Sequence, residues 1–362
     1  MMQRFYSLVT IVVMFAISYV PTAAADEWEK VLAAAKKEGT VAVIGSAGSG
    51  SKIQDMLTQN FEKKYGIKVE YFSGRGSTIG PKLTAERNAG QFLWDVFIGG
   101  TTTALSVTIP GGMIDPIEPA LILPEVKDPQ KWRGGGIEYV DTGKRVLVMM
   151  LTQRATLYVN PNVVKPDSIT SYKDLLNPKF KGKIVMDDPT MAGPGQATFV
   201  FFYLHPDLGP NFIRALAKQE PALLRDWNQE FEVLAREKYL VLIGDTDVLA
   251  EERIKAGVPI AILDPRKIKE GSDIGCIDGA LTMFNRAPHP NAAKVYINWL
   301  LSKEGQTDYA RLTGNISARL DVPTDHAPWR VPIPKSIKTY TQAAQDVKTD
   351  LLALFKEAFG RK

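Results

Sequence analysis

The sequence has very little of the chemistry that cross-links proteins or binds zinc. Its 362 residues include one cysteine, Cys276, and three histidines, His205, His289 and His326. A single thiol forms no internal disulfide, and the three histidines have no metal-ligand spacing. We therefore expect packed cores to hold the chain together, Cys276 to be a buried and unreactive thiol, and no metal centre.

An excess of charge of either sign is also absent. The chain has 44 Lys and Arg against 40 Asp and Glu, for a formal net charge of +4. A small charge spread along the chain gives no reason to expect nucleic acid as a partner. Hydrophobic residues make up 45% and charged residues 23%. This composition is typical of a globular protein, and the length allows two domains with sizeable cores.

Long apolar runs are missing except at the N-terminus. Arg4 is the only charge in the first 25 residues, and an apolar stretch covers about residues 5–20. The following Ala23-x-Ala25 pattern predicts a signal peptide, residues 1–25, cleaved before Asp26. The alternative is a retained membrane anchor, but the stretch is short for a spanning helix. No cysteine follows it, so we expect no lipid anchor.

Strands and helices alternate from the start of the mature chain. A helix at 28–37 precedes a buried strand at 40–45, and helical spacing of apolar residues follows at 51–65. A strand at 67–72, a helix at 77–89 and a strand at 95–99 complete a βαβαβ order. This order predicts an α/β fold in which a parallel sheet has helices on both faces.

The middle of the chain predicts a second α/β unit inserted into the first. The apolar run KRVLVMMLTQRATLYV, residues 144–159, is too long for one ordinary strand and suggests a crossing between domains. Alternation then resumes, with one long helix expected near 221–238. Two lobes joined by more than one segment form a hinge. The predicted boundaries are 26–150 for the first part of lobe 1, 151–265 for lobe 2, 266–320 for the return to lobe 1, and 321–362 for a C-terminal helical segment packing on lobe 2.

The loops that follow the strands are rich in Gly, Ser and Thr. Ligands of parallel sheets bind at the carboxyl ends of strands, where backbone N–H groups and helix dipoles favour an anion. Each loop taken alone is better explained by turns and helix caps than by ligand binding. Together they predict an anion site to which Arg75 adds a bidentate donor. The residues predicted from these loops are Ser46, Gly48, Ser49, Arg75, Ser77, Thr78, Thr101, Thr102, Asp188, Thr190, Gly193, Gly195, Asp245 and Asp247.

The first of these loops resembles a nucleotide-binding loop only in part. Gly45 and Gly50 have the Walker A separation, but Ser51 follows and the lysine, Lys52, comes one place late. A dinucleotide fingerprint fails because Ile53 occupies the position of its third glycine. We expect no cofactor. No Gly-x-Ser-x-Gly motif or assignable base is present either, which argues against an enzyme.

Several stretches resemble the family 1 extracellular solute-binding proteins of ABC importers. They are residues 82–100 (KLTAERNAGQFLWDVFIGG), 157–164 (LYVNPNVV), 171–190 (SYKDLLNPKFKGKIVMDDPT) and 287–306 (APHPNAAKVYINWLLSKEGQ). The resemblance implies the two-lobed type II periplasmic-binding-protein fold, each lobe a mostly parallel sheet with flanking helices. It also implies a periplasmic, monomeric, non-enzymatic carrier that delivers its solute to an ABC permease and its ATPase.

Within that family the chain is similar to the ferric-iron-binding branch, with two departures. The branch has a histidine after the first strand and a tandem tyrosine pair in the second lobe, whereas this chain has Ser46-Ala47 and Asp245-Thr-Asp-Val248 there. The segment 188–195 resembles the branch's anion-binding loop. Arg154 stands where the branch has an arginine at the lobe crossing, so the resemblance implies a ligand contact. A structural salt bridge within the hinge is the alternative for Arg154.

These observations lead to three hypotheses of different classes. The first is capture of a small organic anion, phosphorylated or carboxylated, between a wall at 46–49, 75–78 and 101–103 and a wall at 190–195 and 245–247. A sugar phosphate or an aminophosphonate would use both walls, with Asp245 or Asp247 accepting from a hydroxyl or an amine. The second is a ferric-iron carrier that uses carboxylates and a synergistic anion. The third, a two-lobed transferase or hydrolase, lacks an evident base or metal ligands.

Overall fold

The computed structural model describes residues 23–46, 51–74, 76–191, 193–276, 278–323, 325 and 327–360. The predicted signal peptide therefore lies outside the described residues up to position 22. The strands within the described residues are β1 (Thr40–Gly45), β2 (Lys68–Ser73), β3 (Val96–Gly99), β4 (Ile114–Asp115), β5 (Glu138–Tyr139), β6 (Leu147–Val148), β7 (Met150–Gln153), β8 (Leu157–Val159), β9 (Ile184–Asp187), β10 (Ala222–Leu224), β11 (Val241–Ile243), β12 (Ala261–Ile262), β13 (Asp273–Gly275), β14 (Ala280–Phe284), β15 (Ile316–Ser317) and β16 (Ile337–Lys338).

Helices separate most of these strands. They are α1 (Ala23–Glu38), α2 (Ser51–Asp55), α3 (Phe61–Tyr65), α4 (Gly76–Asn88), α5 (Thr101–Thr103), α6 (Pro124–Lys127), α7 (Pro194–Leu204), α8 (Gly209–Ala217), α9 (Trp227–Ala235), α10 (Asp247–Lys255), α11 (Pro290–Leu301), α12 (Lys303–Thr313), α13 (Gln342–Asp346) and α14 (Lys348–Phe359). π-helical turns at Met56–Asn60 and Ala104–Thr108 extend the short helices beside them. The 3₁₀ turns are Glu118–Ala120, Pro129–Lys131, Arg133–Gly135, Pro166–Ser168, Tyr172–Leu176, Pro178–Phe180 and Pro328–Arg330.

The first lobe is built on a mixed sheet with the order β2-β1-β3-β14-β6-β5, and β4 also pairs with β14. β1 is parallel to both β2 and β3, as the βαβαβ order predicts. β14 returns antiparallel to β3, with Ala280 opposite Gly99. The inner strands are buried along their length, which suits strands covered by helices on both faces.

The second lobe is built on a sheet with the order β10-β9-β11-β8-β12. β9 is parallel to β10 and β11, whereas β8 is antiparallel to β11 and β12. Aromatic side chains of α7 fill its core, and Phe199 packs edge-on against Phe355 of α14. The C-terminal helix thus contributes to the core of the second lobe through Leu351, Leu354 and Phe355.

A third sheet, β15-β7-β13-β16, contains the strands that cross between the lobes, and we call it the crossing sheet. The run 144–159 forms three short strands in three different sheets: β6 in the first lobe, β7 in the crossing sheet and β8 in the second lobe. β13 carries the chain back, since it follows β12 and precedes β14. The two crossings pair directly, with Ile274 opposite Gln153.

The long helix expected near 221–238 was a wrong prediction. Residues Ala222–Leu224 form β10, which pairs with β9, and the helix begins only at Trp227. Asp226 separates the two elements because its carboxylate accepts a hydrogen bond from the backbone N–H of Gln229 at 2.9 Å and caps α9. Tertiary pairing with the neighbouring strand therefore outweighed local helical propensity.

Candidate ligand-binding cleft

A cleft of about 960 Å³ lies where the strand ends of both lobes meet the crossing sheet. The first lobe contributes Ser46, Gly100, Thr101, Thr102 and Asp278, and the second lobe contributes the first turns of α7 and α10. Carboxyl ends of parallel strands are the usual ligand positions of α/β sheets. The rest of the lining comes from the crossing sheet, the end of α12 and the C-terminal segment: Thr152, Arg154, Gly275, Cys276, Arg311, Leu312, Thr313, Gly314, Asn315, Arg330, Thr339, Tyr340 and Lys348.

The structure brings some of the predicted site residues together at this cleft and leaves others outside its lining. Those that line it are Ser46, Thr101, Thr102, Arg154, Gly193 and Asp247. Those that do not are Thr78, Asp188, Thr190, Gly195 and Asp245. Gly48, Ser49 and Arg75 lie outside the described residues, and Ser77 is placed only as a member of α4. Cys276 is buried, as predicted.

Asp188 and Thr190 form an internal turn beneath the second-lobe loop. Oδ1 of Asp188 accepts from the backbone N–H of Thr190 at 3.0 Å and from its hydroxyl at 2.7 Å. Oδ2 accepts from Nε of Arg225 at 2.9 Å. Although burial opposes ionisation, these donors hold the pKa of Asp188 below its ordinary value. Asp188 therefore supports the loop from within.

A carboxylate of the chain itself compensates the positive potential of the N–H groups in the first turn of α7. The N–H of Gly195 donates to Oδ2 of Asp187 at 2.8 Å, and the Trp227 side chain also bonds to this carboxylate. Burial raises the pKa of Asp187 while these donors and Arg154 act against the rise. Gly195 is required here, because a Cβ at this position would stand 2.5 Å from the carbonyl oxygen of Asp187.

The carboxylate of Asp247 fixes the start of α10 to the neighbouring strand segment. Its Oδ1 accepts from the backbone N–H of Ala155 at 3.1 Å and from the Tyr158 hydroxyl at 2.7 Å. Burial raises the pKa of Asp247 to about 6, against the opposing effects of Arg154 and Tyr158. Asp247 thus reaches the cleft surface with its acceptor capacity already partly used.

Asp245 lies behind the cleft against Glu230 of α9, and both side chains are fully buried. Oδ2 of Asp245 and both carboxyl oxygens of Glu230 have no hydrogen-bond partner in the described part of the chain. The two carboxyl groups influence each other's ionisation, and we expect one proton to be held between them. Burial, with the negative charges of Asp245 and Asp187, raises the pKa of Glu230 well above its ordinary range.

Arg154 joins the crossing sheet to the second lobe. Its Nη1 donates to Oδ2 of Asp273 at 3.1 Å, and its guanidinium also donates to the carbonyl oxygens of Pro194 and Asp245. Burial opposes the charge, but the carboxylates of Asp273 and Asp247 hold the pKa of Arg154 above its ordinary value. The residue lines the cleft and forms a hinge salt bridge at the same time.

An acidic side chain marks the first-lobe side of the cleft. Oδ1 of Asp278 accepts from the Ser46 hydroxyl at 2.9 Å, and its backbone carbonyl accepts from the Tyr309 hydroxyl at 2.7 Å. Asp278 adopts a left-handed backbone conformation, with φ of 51°, which is uncommon outside glycine. Burial raises the pKa of its carboxyl group. These contacts fix the orientation of Ser46 at the end of β1.

The C-terminal segment supplies cleft residues that the sequence analysis missed. Arg330 lies in a 3₁₀ turn and pairs with Glu251 of α10 at 3.0 Å, and Lys348 is the first residue of α14. No motif marks either residue. The only available signal was the expectation that residues 321–362 pack on the second lobe.

The described residues were searched for membrane-spanning helices and for metal-binding clusters. Within the described ranges of 23–360, no helix is long and apolar enough to cross a membrane. The same ranges contain no group of three or more His, Cys, Asp or Glu side chains placed to hold a metal ion.

The two lobes, the crossing sheet and the cleft between them define a two-lobed α/β solute receptor. The family model described as bacterial extracellular solute-binding protein matches residues 56–344, so the chain belongs to this family. Members of the family bind small solutes outside the cytoplasm for ABC importers and deliver them to a permease. They are not enzymes.

The chain is also similar to individual proteins and solved structures. An uncharacterized protein of Haemophilus influenzae is 26% identical over 283 residues, which cover 74% of this chain and 77% of that one. The Trichodesmium protein IdiA (FutA), solved in complex with iron and citrate, is 18% identical with a TM-score of 0.67, covering 88% of this chain and 99% of that chain. The Actinobacillus pleuropneumoniae periplasmic binding protein AfuA, solved with fructose-6-phosphate, is 20% identical with a TM-score of 0.58, covering 89% and 99%. At these identities the solved structures show a shared fold.

Proposed function

We propose that this protein captures a small organic anion in the periplasm, closes on it by hinge motion and delivers it to an ABC permease and its ATPase. The observation that carries the proposal is the set of cations around the cleft. Arg154, Arg311, Arg330 and Lys348 line it together with the first turns of α7 and α10. Cations and hydroxyl groups around a concave site favour a phosphorylated or carboxylated solute.

The acidic side chains of the cleft indicate which groups the solute carries besides its anionic group. Asp247, Glu251 and Asp278 line it, but each already accepts from a partner within the chain: Tyr158, Arg330 and Ser46 respectively. They are therefore poor receptors for a ligand amine. The hydroxyls of Thr101 and Thr102 remain suited to the polar groups of a sugar. A sugar phosphate is thus the better supported example, and an aminophosphonate the less supported one.

Closure is a population shift in this proposal. A solute that contacts both lobes stabilises the closed form by its differential affinity for that form. The crossing sheet is where the change of backbone angles would concentrate, because both crossings run through it. Small-angle scattering of the mature chain, residues 26–362, at saturating solute would show a smaller radius of gyration. An unchanged radius at saturation would contradict closure.

A thermal-shift screen of the same chain tests the solute class. The panel contains phosphate esters, phosphonates, carboxylates, polyamines and ferric ion, each at several concentrations. Binding to the folded state raises the melting temperature by mass action. We expect stabilisation by phosphate esters or carboxylates. Stabilisation by cations alone would overturn the organic-anion proposal.

A ferric-iron carrier is the second candidate, since a protein of the same fold was solved with iron and citrate. Of the donors suggested for it, Asp245 is fully buried behind the cleft, and Asp247 already accepts from the Tyr158 hydroxyl. That arrangement favours the organic anion. Strong visible absorbance on adding ferric ion with citrate, lost on replacing both aspartates by alanine, would instead support iron transport.

A further inference from the structure

Four cations of the described residues line the cleft, and three of them are paired with a carboxylate of the chain. Arg154 pairs with Asp273 at 3.1 Å, Arg311 pairs with Asp308 at 3.1 Å, and Arg330 pairs with Glu251 at 3.0 Å. The remaining cation is Lys348, which makes no ion pair within the described part of the chain. Its positive charge is therefore available to a bound group.

The position of Lys348 makes its charge unfavourable in the empty protein. The side chain is partly buried, and this burial lowers the pKa of its ammonium group. Lys348 is also the first residue of the twelve-residue helix α14. The side chains of Leu351, Leu354 and Phe355 anchor α14 in the second-lobe core, so Lys348 is held at the cleft by a fixed element.

Carboxylates of the chain reduce the positive potential at the N-termini of α7 and α10, which also lie at the cleft. Asp187 accepts from the first turn of α7, at Gly195. Asp245 accepts from the N–H of Thr246, the residue that caps α10, at 2.5 Å. Carboxylates at a helix N-terminus compensate its dipole. The positive charge that attracts an anionic solute to the cleft therefore comes more from a side-chain cation than from these backbone N–H groups.

We infer that Lys348 is a specificity-determining residue of the cleft, whose ammonium group contacts the anionic group of the solute. This inference rests on the proposed function. It assigns the selection of anionic over neutral solutes to a residue of the C-terminal helix α14. The solute would supply the carboxylate or phosphate partner that the chain does not. Without that partner the lysine lowers the stability of the folded protein, a cost that a binding site commonly carries.

The test compares Lys348→Gln with Lys356→Gln, a matched control that removes an exposed lysine of the same helix. The probes are inorganic phosphate, citrate and fructose-6-phosphate, followed by melting temperature and by calorimetric titration at two salt concentrations. We expect K348Q to weaken binding of the effective probe by about ten- to a hundredfold, the loss typical of one charge-assisted hydrogen bond. Its binding should also depend less on salt. Without a probe, its melting temperature should equal or exceed that of the wild type.

The other outcomes separate the two proposals. Wild-type binding of a probe, with equal binding by K348Q, would overturn the role of Lys348 and leave the proposed function standing. Stabilisation of the wild type by none of the three anions would overturn both. Lys348→Arg serves as the rescue variant, because it keeps the charge, and it should retain more affinity than K348Q. A loss of affinity in K356Q as large as that in K348Q would also contradict the inference.

Discussion

Arg154 and Asp273 form a buried ion pair that links the two chain segments crossing between the lobes. Nη1 of Arg154 lies 3.1 Å from Oδ2 of Asp273, and the two side chains are 6% and 0% exposed. Arg154 directly follows β7, and Asp273 begins β13, the strand paired with β7 in the crossing sheet. The backbone N–H of Arg154 also donates to the carbonyl of Asp273 at 3.0 Å. The hinge is therefore joined by both backbone and side-chain bonds.

Removing one partner of this pair should destabilise the protein strongly. Asp273→Asn leaves the Arg154 guanidinium buried without its carboxylate, which typically costs about 3–5 kcal/mol in the free energy of unfolding. Urea denaturation measures this loss. Replacing both residues, as in Arg154→Met with Asp273→Asn, should cost less than the sum of the single changes, because no unpaired charge remains.

Glu70→Gln is the control for that experiment. Glu70 pairs with Lys68 on the exposed part of β2, and exposed ion pairs contribute little. We expect no measurable change in stability. If D273N is as mild as this control, the buried pair is not a main support of the hinge.

The raised pKa values of Glu230 and Asp245 predict a stability that falls as pH rises. Burial raises the pKa of both carboxyl groups, so the folded chain holds protons that the unfolded chain releases above about pH 4. Because the folded state then binds more protons, the free energy of unfolding falls with increasing pH, by at most about 1.4 kcal/mol per pH unit for one retained proton. Asp247, whose pKa burial raises to about 6, adds to the slope below that pH.

Glu230→Gln should reduce this slope. The amide cannot ionise, and its NH₂ group donates to Asp245 without a proton to lose. Urea midpoints at pH 5.5, 6.5, 7.5 and 8.5 measure the difference. Glu232→Gln, an exposed residue of the same helix paired with Arg236, is the control and should keep the wild-type slope. Equal slopes in both variants would contradict the shared proton.

The order of the first elements was predictable because β1 and β3 are short apolar runs bounded by turn residues. Gly66 ends the helix that begins at Ser51 in a left-handed conformation, and such glycine stops are visible in a sequence. The crossing at 144–159 was also visible, since that run exceeds the length of one strand. The split between β10 and α9 was not, because pairing with β9 depends on residues distant in sequence.

The candidate site was less predictable for the same physical reason. Gly-rich loops such as the one before α7 identify strand ends, but they do not say which backbone groups remain free for a ligand. Asp187 and Asp245 compensate their helices through contacts that a sequence pattern does not encode. Lys348 reaches the cleft only because α14 packs on α7 and α8, which brings the end of the chain to the middle of the molecule.

Cys276 should be unreactive in the folded protein although it lines the cleft. Burial raises the pKa of its thiol far above the ordinary value, so the thiolate, which is the nucleophile, is scarce at neutral pH. We expect a thiol reagent such as iodoacetamide to modify the native chain slowly and the urea-unfolded chain quickly and stoichiometrically. Mass spectrometry of the intact protein measures both. Equal rates in the two states would contradict a buried, inert thiol.

Gly195 and Gly193 offer a matched pair for testing the start of α7. A Cβ at Gly195 would stand 2.5 Å from the carbonyl oxygen and 2.9 Å from the carbonyl carbon of Asp187, whereas the nearest atom to a Cβ at Gly193 is 3.7 Å away. Gly195→Ala must therefore displace the first turn of α7 from β9, at a cost of about 1–3 kcal/mol in the free energy of unfolding. It should also weaken solute binding, since Pro194 and Gln196 line the cleft on either side. Gly193→Ala, whose backbone is extended, should leave the stability nearly unchanged. Equal stabilities of the two alanine variants would show that the close approach of α7 to Asp187 does not constrain the second-lobe wall.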